Sequence, residues 1–210
     1  MARRNSEDAA HTRQSIISAA AKVFCREGIA GATLEEVAQE AGITRGAIYW
    51  HFKGKQGLLQ ALLNEQPLPF ERAIPSGIAF VPGWELLCQA LEETMNDDIS
   101  RRLSRIMLHK SERVAGYDPV ASRLQEIRSS FIGQLRVLLD NGMADGELSE
   151  HLDVELVCDV FQSCISGLLF ECLQEAGPSQ KKIAAMLDTL RHLLLNPPVH
   201  WLRLETIGLR

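Results

Sequence analysis

The residues best placed to do chemistry lie between Thr33 and Lys55, in TLEEVAQEAGITRGAIYWHFKGK. Arg45 carries a planar guanidinium that can give two parallel hydrogen bonds to acceptors such as O6 and N7 of guanine. Thr33, Thr44, Tyr49, His51 and Lys55 carry donors suited to phosphate oxygens, which fix register without reading sequence. Gly46 and Ala47 are small, so the backbone that carries them can come close to such a surface. No nucleophile, base and orienting group fall into a recognisable arrangement, so the chain is read as a binding protein and not an enzyme.

Two short helices must position these groups. Thr33 and Glu36 form the Ser/Thr-x-x-Glu spacing of a capping box, which predicts a helix from Leu34. Val37, Ala38 and Ala41 then share an apolar face, and Gly42 follows where a left-handed cap is easiest. Thr44 is a second N-cap, and residues 45–50 make a short helix with Ile43 and Ile48 facing inward. Two short helices joined by a tight glycine turn make a helix-turn-helix, whose second helix lies in the DNA major groove. A capping box and a glycine turn serve equally well in any two-helix corner with a solvated basic face, so these features leave both readings open.

The run TRGAIYWHFKGKQGLLQAL, preceded by TLEEVAQEAGI, resembles the DNA-binding domain of the tetracycline-repressor (TetR) family of bacterial transcription factors. The resemblance spans residues 12–63, and Ile17, Ala20, Ala21, Phe24 and Gly28 fall where that family packs its first helix. It implies a recognition helix from Thr44 to Trp50, with Arg45 as the main base reader. Gly46 and Ala47 allow its close approach, and phosphate contacts fall on Thr33, Thr44, Tyr49, His51 and Lys55. Gly54 and Gly57 depart from the polar or larger residues more usual in the family, at the start of the next helix.

Composition agrees with a globular chain: 46% of the residues are hydrophobic and 23% charged. No apolar run reaches the roughly 18 residues of a membrane span, and residues 1–10 are polar with no signal-peptide core. The expected location is the cytoplasm, with no membrane partner. The net charge of −5 speaks against a nucleic-acid partner until its distribution is read. Up to Gln66 eight basic residues face seven acidic ones, and beyond it fourteen face twenty, so the acidic excess lies outside the helix-turn-helix. Cys25, Cys88, Cys158, Cys164 and Cys172 form no C-x-x-C pair and are most simply reduced core residues. Cys158, Cys164 and Cys172 share one predicted helix, which keeps a redox-sensing alternative open. His109, His151, His192 and His200 show no ligand spacing, so neither a metal nor a cofactor is expected.

The remaining chain reads as helices throughout. Residues 1–11 are expected to be a disordered arm, and 12–26 an apolar-striped helix that buttresses the helix-turn-helix. A fourth helix carries Leu58, Leu59, Leu62 and Leu63 until Pro67 and Pro69 end it. The proline-rich segment 66–83 marks the boundary between domains 1–66 and 67–210. Helices are then expected at 84–96, 98–113, 118–139, 153–175 and 179–195, broken at Gly116, at 141–146 and at Gly177 with Pro178. The fold class is therefore all-α: an N-terminal three-helix helix-turn-helix domain followed by a C-terminal helical bundle for ligand binding and dimerisation. Segment 197–210, with Trp201 and Leu202, matches no pattern.

Helix 153–175 is apolar over more than half its circumference, which means burial on two sides, and helix 179–195 offers a matching stripe. The TetR resemblance implies a homodimer built from these last two long helices. Val157, Phe161 and Leu168 on one, and Met186, Leu190 and Leu194 on the other, are its expected interface. A large monomeric core that uses both stripes is the alternative. Ile106 to Glu112, with His109, Lys110 and Ser111, resembles the AcrR-like subgroup that represses multidrug efflux pumps, although Ser111 stands where that subgroup often has Cys. Trp84, Cys88, Met107 and Phe131, together with Phe161, Cys164 and Leu168, are the soft and aromatic side chains expected around a hydrophobic ligand. Each of these types is also ordinary core material.

The expected function is a ligand-responsive repressor of a multidrug efflux operon, released from a pseudo-palindromic double-stranded operator by a hydrophobic inducer. The alternative within the class is a regulator of a metabolic or catabolic pathway with a narrow small-molecule ligand. Outside the class stand an all-helical enzyme or carrier and a protein-interaction module whose corner never meets DNA.

Overall fold

The computed structural model describes residues 2–109, 118–174 and 180–203. Its helices are α1 (Ala2–Gly31), α2 (Leu34–Ala41), α3 (Arg45–His51), α4 (Gly54–Glu65), α5 (Phe80–Asn96), α6 (Asp98–His109), α7 (Pro119–Ala144), α8 (Val154–Cys172) and α9 (Gln180–Leu195). Single 3-10 turns occupy Pro69–Glu71 and Val199–Trp201. The fold is all-α, as expected. Lys110, Ser111 and Glu112, the expected helix end at Arg113, the breaks at Gly116 and at Gly177 with Pro178, and tail residues 204–210 lie outside the described residues.

The chain forms two compact units. Met1–Leu68 with Asn96–Gln125 makes one, and Pro69–Met95 with Glu126–Arg210 the other. The first unit thus adds α6 and the start of α7 to the helix-turn-helix segment. The reason is burial: α6 packs on α1 and hides Leu103, Ile106 and Met107.

Helix α1 is the post of the first unit. It begins at Ala2 where a disordered arm was expected, because no glycine or proline interrupts residues 2–26, and Thr12 Oγ1 donates to the Asp8 carbonyl at 2.9 Å. Ile16, Ile17, Ala20, Val23 and Phe24 are wholly buried, and α2, α4 and α6 all pack on α1. The helix is interrupted at Gly28, which is non-helical.

In the second unit α5 starts at Phe80, ahead of the expected Trp84. Pro82 sits in its first turn, where a missing N–H costs nothing, and the Glu147 carboxylate accepts the Phe80 N–H at 3.1 Å. Helix α7 runs to Ala144, past the expected end at Leu139. A Cβ at Gly142 would stand 2.9 Å from Leu148 Cδ1 and 3.0 Å from Phe80 Cβ, so this glycine makes room for packing inside the helix instead of ending it.

Phe80, Trp84, Phe161 and Trp201 form a continuous aromatic line, with ring centroids 6.2, 5.8 and 6.3 Å apart in that order. Trp201 comes from the segment that no sequence pattern explained. A short backbone strap holds it: Asp153 N–H donates to the Trp201 carbonyl at 2.7 Å and Arg203 N–H to the His151 carbonyl at 2.8 Å, on either side of an antiparallel bridge between Leu152 and Leu202. Trp201 is buried and meets Phe161 near edge-on. Trp201→Ala is expected to lower the unfolding free energy by about 3–5 kcal/mol in urea denaturation. A loss below about 1 kcal/mol, the size of a surface effect, would show that the strap is not part of the core.

Candidate nucleic-acid interface

The capping box is complete. Glu36 N–H donates to Thr33 Oγ1 at 3.2 Å, Thr33 N–H donates to Glu36 Oε2 at 2.8 Å, and the Thr33 hydroxyl proton goes to the same carboxylate oxygen at 2.8 Å. The hydroxyl bond, followed by the backbone bond from Thr33, holds the Glu36 carboxyl below the usual carboxylate range. Helix α2 ends where expected, at Gly42, whose φ of 68° is a left-handed cap that a side chain would strain. Thr44 then caps α3, its hydroxyl accepting the Ala47 N–H at 3.3 Å. Thr33 and Thr44, expected at phosphates, are thus first of all helix caps. The Thr44 hydroxyl still has a proton to donate outward.

Ile48 is wholly buried and anchors α3. At 100° per residue Gly46 and Trp50 lie opposite it, with Tyr49 beside them. Trp50 is 90% exposed and Tyr49 52%, and Arg45 and Gly46 are exposed as well. Arg45 sends one Nη–H to Tyr49 Oη at 3.2 Å, and its guanidinium stands 5.7 Å from the ring centroid. The guanidinium therefore lies along the outward face, supported by an aromatic ring. Trp50 was missing from the expected site, although its spacing from Ile48 already pointed it outward. An indole here can meet a thymine methyl or unpolarised groove wall, contacts that read bases by shape and apolar fit.

His51 is half-buried at the end of α3, and its carbonyl accepts from Arg13. Lys55 is placed differently from the expectation: its Nζ donates to the Ala30 carbonyl at 2.9 Å and the Ala32 carbonyl at 3.0 Å. It ties α4 to the end of α1 and retains one of its three donors for a phosphate. Helix α4 begins at Gly54, φ 72°, with no side-chain cap from Lys53, so glycine at this unusual position permits the left-handed entry.

The expected ligand residues are divided between the units. Met107 is buried in the first. Trp84, Phe131, Phe161 and Leu168 are buried in the second, where Trp84 and Phe161 touch, whereas Cys164 is exposed and Cys88 half-buried. A cleft of about 250 Å³ in the second unit is lined instead by Phe70, Ala73, Ile74, Pro75, Leu86 and Leu87, with Gln134 and the Arg72–Glu93 ion pair at its polar side. Burial pushes the Cys88 thiol up to about 11 and raises Cys158 and Cys172 too, which favours unreactive neutral thiols.

Of the expected dimer residues, Val157, Phe161, Leu168, Leu190 and Leu194 are covered within the protomer, and Met186 is exposed. The physical reason is that α8 turns its most apolar side to its own core. Its other side presents Leu156, Val160, Ser163, Gly167 and Phe170, spaced three or four residues apart on one stripe.

Residues 16–62 match the family of bacterial regulatory proteins described as tetR. The chain is 33% identical over 198 residues to the HTH-type transcriptional regulator SrpR of Pseudomonas putida, covering 94% of this chain and 92% of SrpR. The chain belongs to the TetR family. It is likewise 33% identical to the TetR-family regulator TtgR of Pseudomonas putida, over 91% of this chain and 97% of TtgR. Among solved structures it resembles the SmeT–triclosan complex at a TM-score of 0.73 and 25% identity, covering 87% of this chain and 90% of SmeT. SmeT is the repressor of the Stenotrophomonas maltophilia multidrug efflux pump SmeDEF. As a TetR-family member the chain is a DNA-binding transcription regulator and not an enzyme. Among the described residues no helix is long and apolar enough to cross a membrane.

Thr33→Ala removes the cap and its carboxylate bond together and should cost about 1 kcal/mol of stability at neutral pH. Because the folded state lowers the Glu36 pKa, its contribution is complete above the ordinary carboxylate range and is lost as pH falls through the folded value. The difference between wild type and Thr33→Ala in urea melts should therefore shrink on acidification. A gap that stays constant down to pH 3 would show that the carboxylate plays no part in the cap.

Proposed function

We propose that this regulator is a homodimeric repressor of a multidrug efflux operon, bound to a pseudo-palindromic operator and released by a hydrophobic inducer. The outward face of α3 carries the DNA reading: Arg45, Tyr49 and Trp50 are exposed side by side while Ile48 holds the helix from behind. A folded domain leaves an indole and a phenol bare on one short helix when another surface is to cover them. Arg45 reads a guanine, Trp50 and Tyr49 line the groove wall, and Thr44, Lys53 and Lys55 hold phosphates.

The efflux reading is supported by SmeT, an efflux-pump repressor whose fold matches over most of both chains and which was solved with triclosan. In the second unit Trp84, Phe131, Phe161 and Leu168 supply the apolar interior that an inducer of this kind prefers. Dimerisation uses the uncovered stripe of α8, Leu156, Val160, Gly167 and Phe170, with Met186 of α9 beside it. Ser163 and Gly167 keep that stripe low enough for a second helix to approach.

Selection from a random duplex pool at near-physiological salt tests the operator. The expected product is an inverted repeat with half-sites roughly 34–36 Å apart. Arg45→Ala should then lose discrimination worth about 1–3 kcal/mol at one base pair of each half-site. Equal loss on every sequence would reduce Arg45 to a phosphate contact. Thermal-shift screening separates the two regulatory readings, since stabilisation by several unrelated aromatic compounds supports an efflux regulator and response to one chemical class alone supports a metabolic one. Phe170→Glu should convert the dimer to monomers by light scattering and weaken binding to the full repeat far more than to a half-site. A variant that remains dimeric would place the interface elsewhere.

A further inference from the structure

Helix α4 ends at Glu65, and Pro67 and Pro69 follow, so its last carbonyls lack intrahelical donors. Two arginines from other helices of the first unit take up this end. Arg123 of α7 is buried and donates its Nε–H to the Leu63 carbonyl at 2.8 Å. A guanidinium cannot shed its charge when buried, and the negative end of a helix is a fitting partner for it. Arg13 of α1 reaches the same end from another direction, pairing one Nη with the Glu65 carboxylate. Its other Nη donates to the His51 carbonyl at 3.3 Å, and its guanidinium lies 4.4 Å from the centroid of the Phe52 ring. His51 is the last residue of α3. One planar group thus joins the last turn of the recognition helix to the last residue of α4.

We propose that Arg13 is a positioning residue for operator reading: it fixes the angle of α3 against α4 without touching DNA. The proposal rests on the reading of α3 as the recognition helix of an operator-binding dimer. Part-exposed ion pairs contribute little by themselves, and Arg13 and Glu65 are both part-exposed. The value of Arg13 lies in geometry, because a rigid fork that meets a carboxylate, a carbonyl and a ring at once permits one orientation. Lysine at this position keeps the charge and loses the fork. Arg123 gives the same clamp a second anchor, since α7 runs on beyond the first unit's Gln125. A displacement of α7 along its own axis pulls on Leu63, and through Glu65 and Arg13 on His51.

The test uses the full chain with the inverted repeat recovered from the random pool and a scrambled duplex of equal length, each titrated across several salt concentrations. Arg13→Ala should bind the repeat about tenfold more weakly, and Arg13→Lys should recover only part of that loss. Binding to the scrambled duplex and the salt slope should stay as in wild type, whereas an arginine that touched phosphate would lower the slope by about 0.9. Glu65→Ala, at an exposed carboxylate that is dispensable for folding, should weaken repeat binding about threefold. The double variant should be no weaker than Arg13→Ala alone. Equal losses on repeat and scrambled duplex, multiplicative losses in the double variant, or wild-type repeat binding by Glu65→Ala would overturn the clamp. Failure of the wild-type protein to select any repeat would overturn the operator reading, and the clamp with it.

Discussion

A helix of seven residues cannot hold itself together in water. Isolated helices shorter than about 12–15 residues are marginal even with the best helix formers, and α3 contains a glycine, a β-branched residue and two aromatics. Its conformation is therefore imposed from outside. Thr44 closes its start, Ile48 pins its middle in the core, and the His51 carbonyl at its end is held by Arg13. Only the remaining arc, with Arg45, Gly46, Tyr49 and Trp50, is left uncommitted. The first unit can be understood as the support for that arc. Helix α1 supplies the buried post, α2 sets the turn, and Lys55 ties the start of α4 back to Ala30 and Ala32.

The same logic explains the distribution of charge. Lys22 meets Glu40 at 3.0 Å and Arg26 meets Glu27 at 2.6 Å, so two basic residues of α1 neutralise acidic residues near them. Arg13 is likewise engaged with Glu65. What faces outward around α3 is Arg45 and Lys53, with part of Lys55. The near-neutral sum over the first 66 residues therefore conceals a basic face beside internally paired charges. A protein with only a few free cations at its reading surface gains modest non-specific affinity from counterion release. It must rely on base contacts, which suits a regulator that has to choose one site among many.

The helix-turn-helix was legible because its determinants are local. The capping box, the Gly42 turn and the inward Ile48 are all decided within eleven to sixteen residues, and helices α2 and α3 begin where the pattern placed them. Helix ends that depend on distant partners were not legible. Gly142 resembled a break until Phe80 and Leu148, far away in sequence, turned out to fill the space above it. The arm resembled a disordered tail because its short run of polar residues shows no apolar period, yet nothing in it interrupts α1. Lys55 was assigned to phosphate by analogy, and only the fold could show two backbone carbonyls within its reach. Trp201 carries no periodic signal, since its partners Phe161 and Asp153 precede it by some forty residues. On α8 the pattern correctly indicated two buried faces. It could not say which face belongs to the protomer, because the most apolar stripe satisfies either use equally.

That last ambiguity has a mechanical meaning. In the proposed dimer, α8 carries Phe161 on its inner side, wedged between Trp84 and Trp201, and Leu156, Val160, Gly167 and Phe170 on its outer side. Close-packed interiors transmit displacement because they have few voids to absorb it. A ligand that intrudes beside Phe161 therefore cannot be accommodated by a local rearrangement of one ring; it displaces α8 as a body, and with it the surface presented to the partner. Two protomers that must hold their recognition helices one DNA turn apart tolerate little change in that surface. A coupling of about 1–3 kcal/mol between ligand and operator is typical of such systems and is the size of one or two aromatic contacts. The aromatic line of the second unit is thus sufficient to carry it, without a separate relay of polar groups through the bundle.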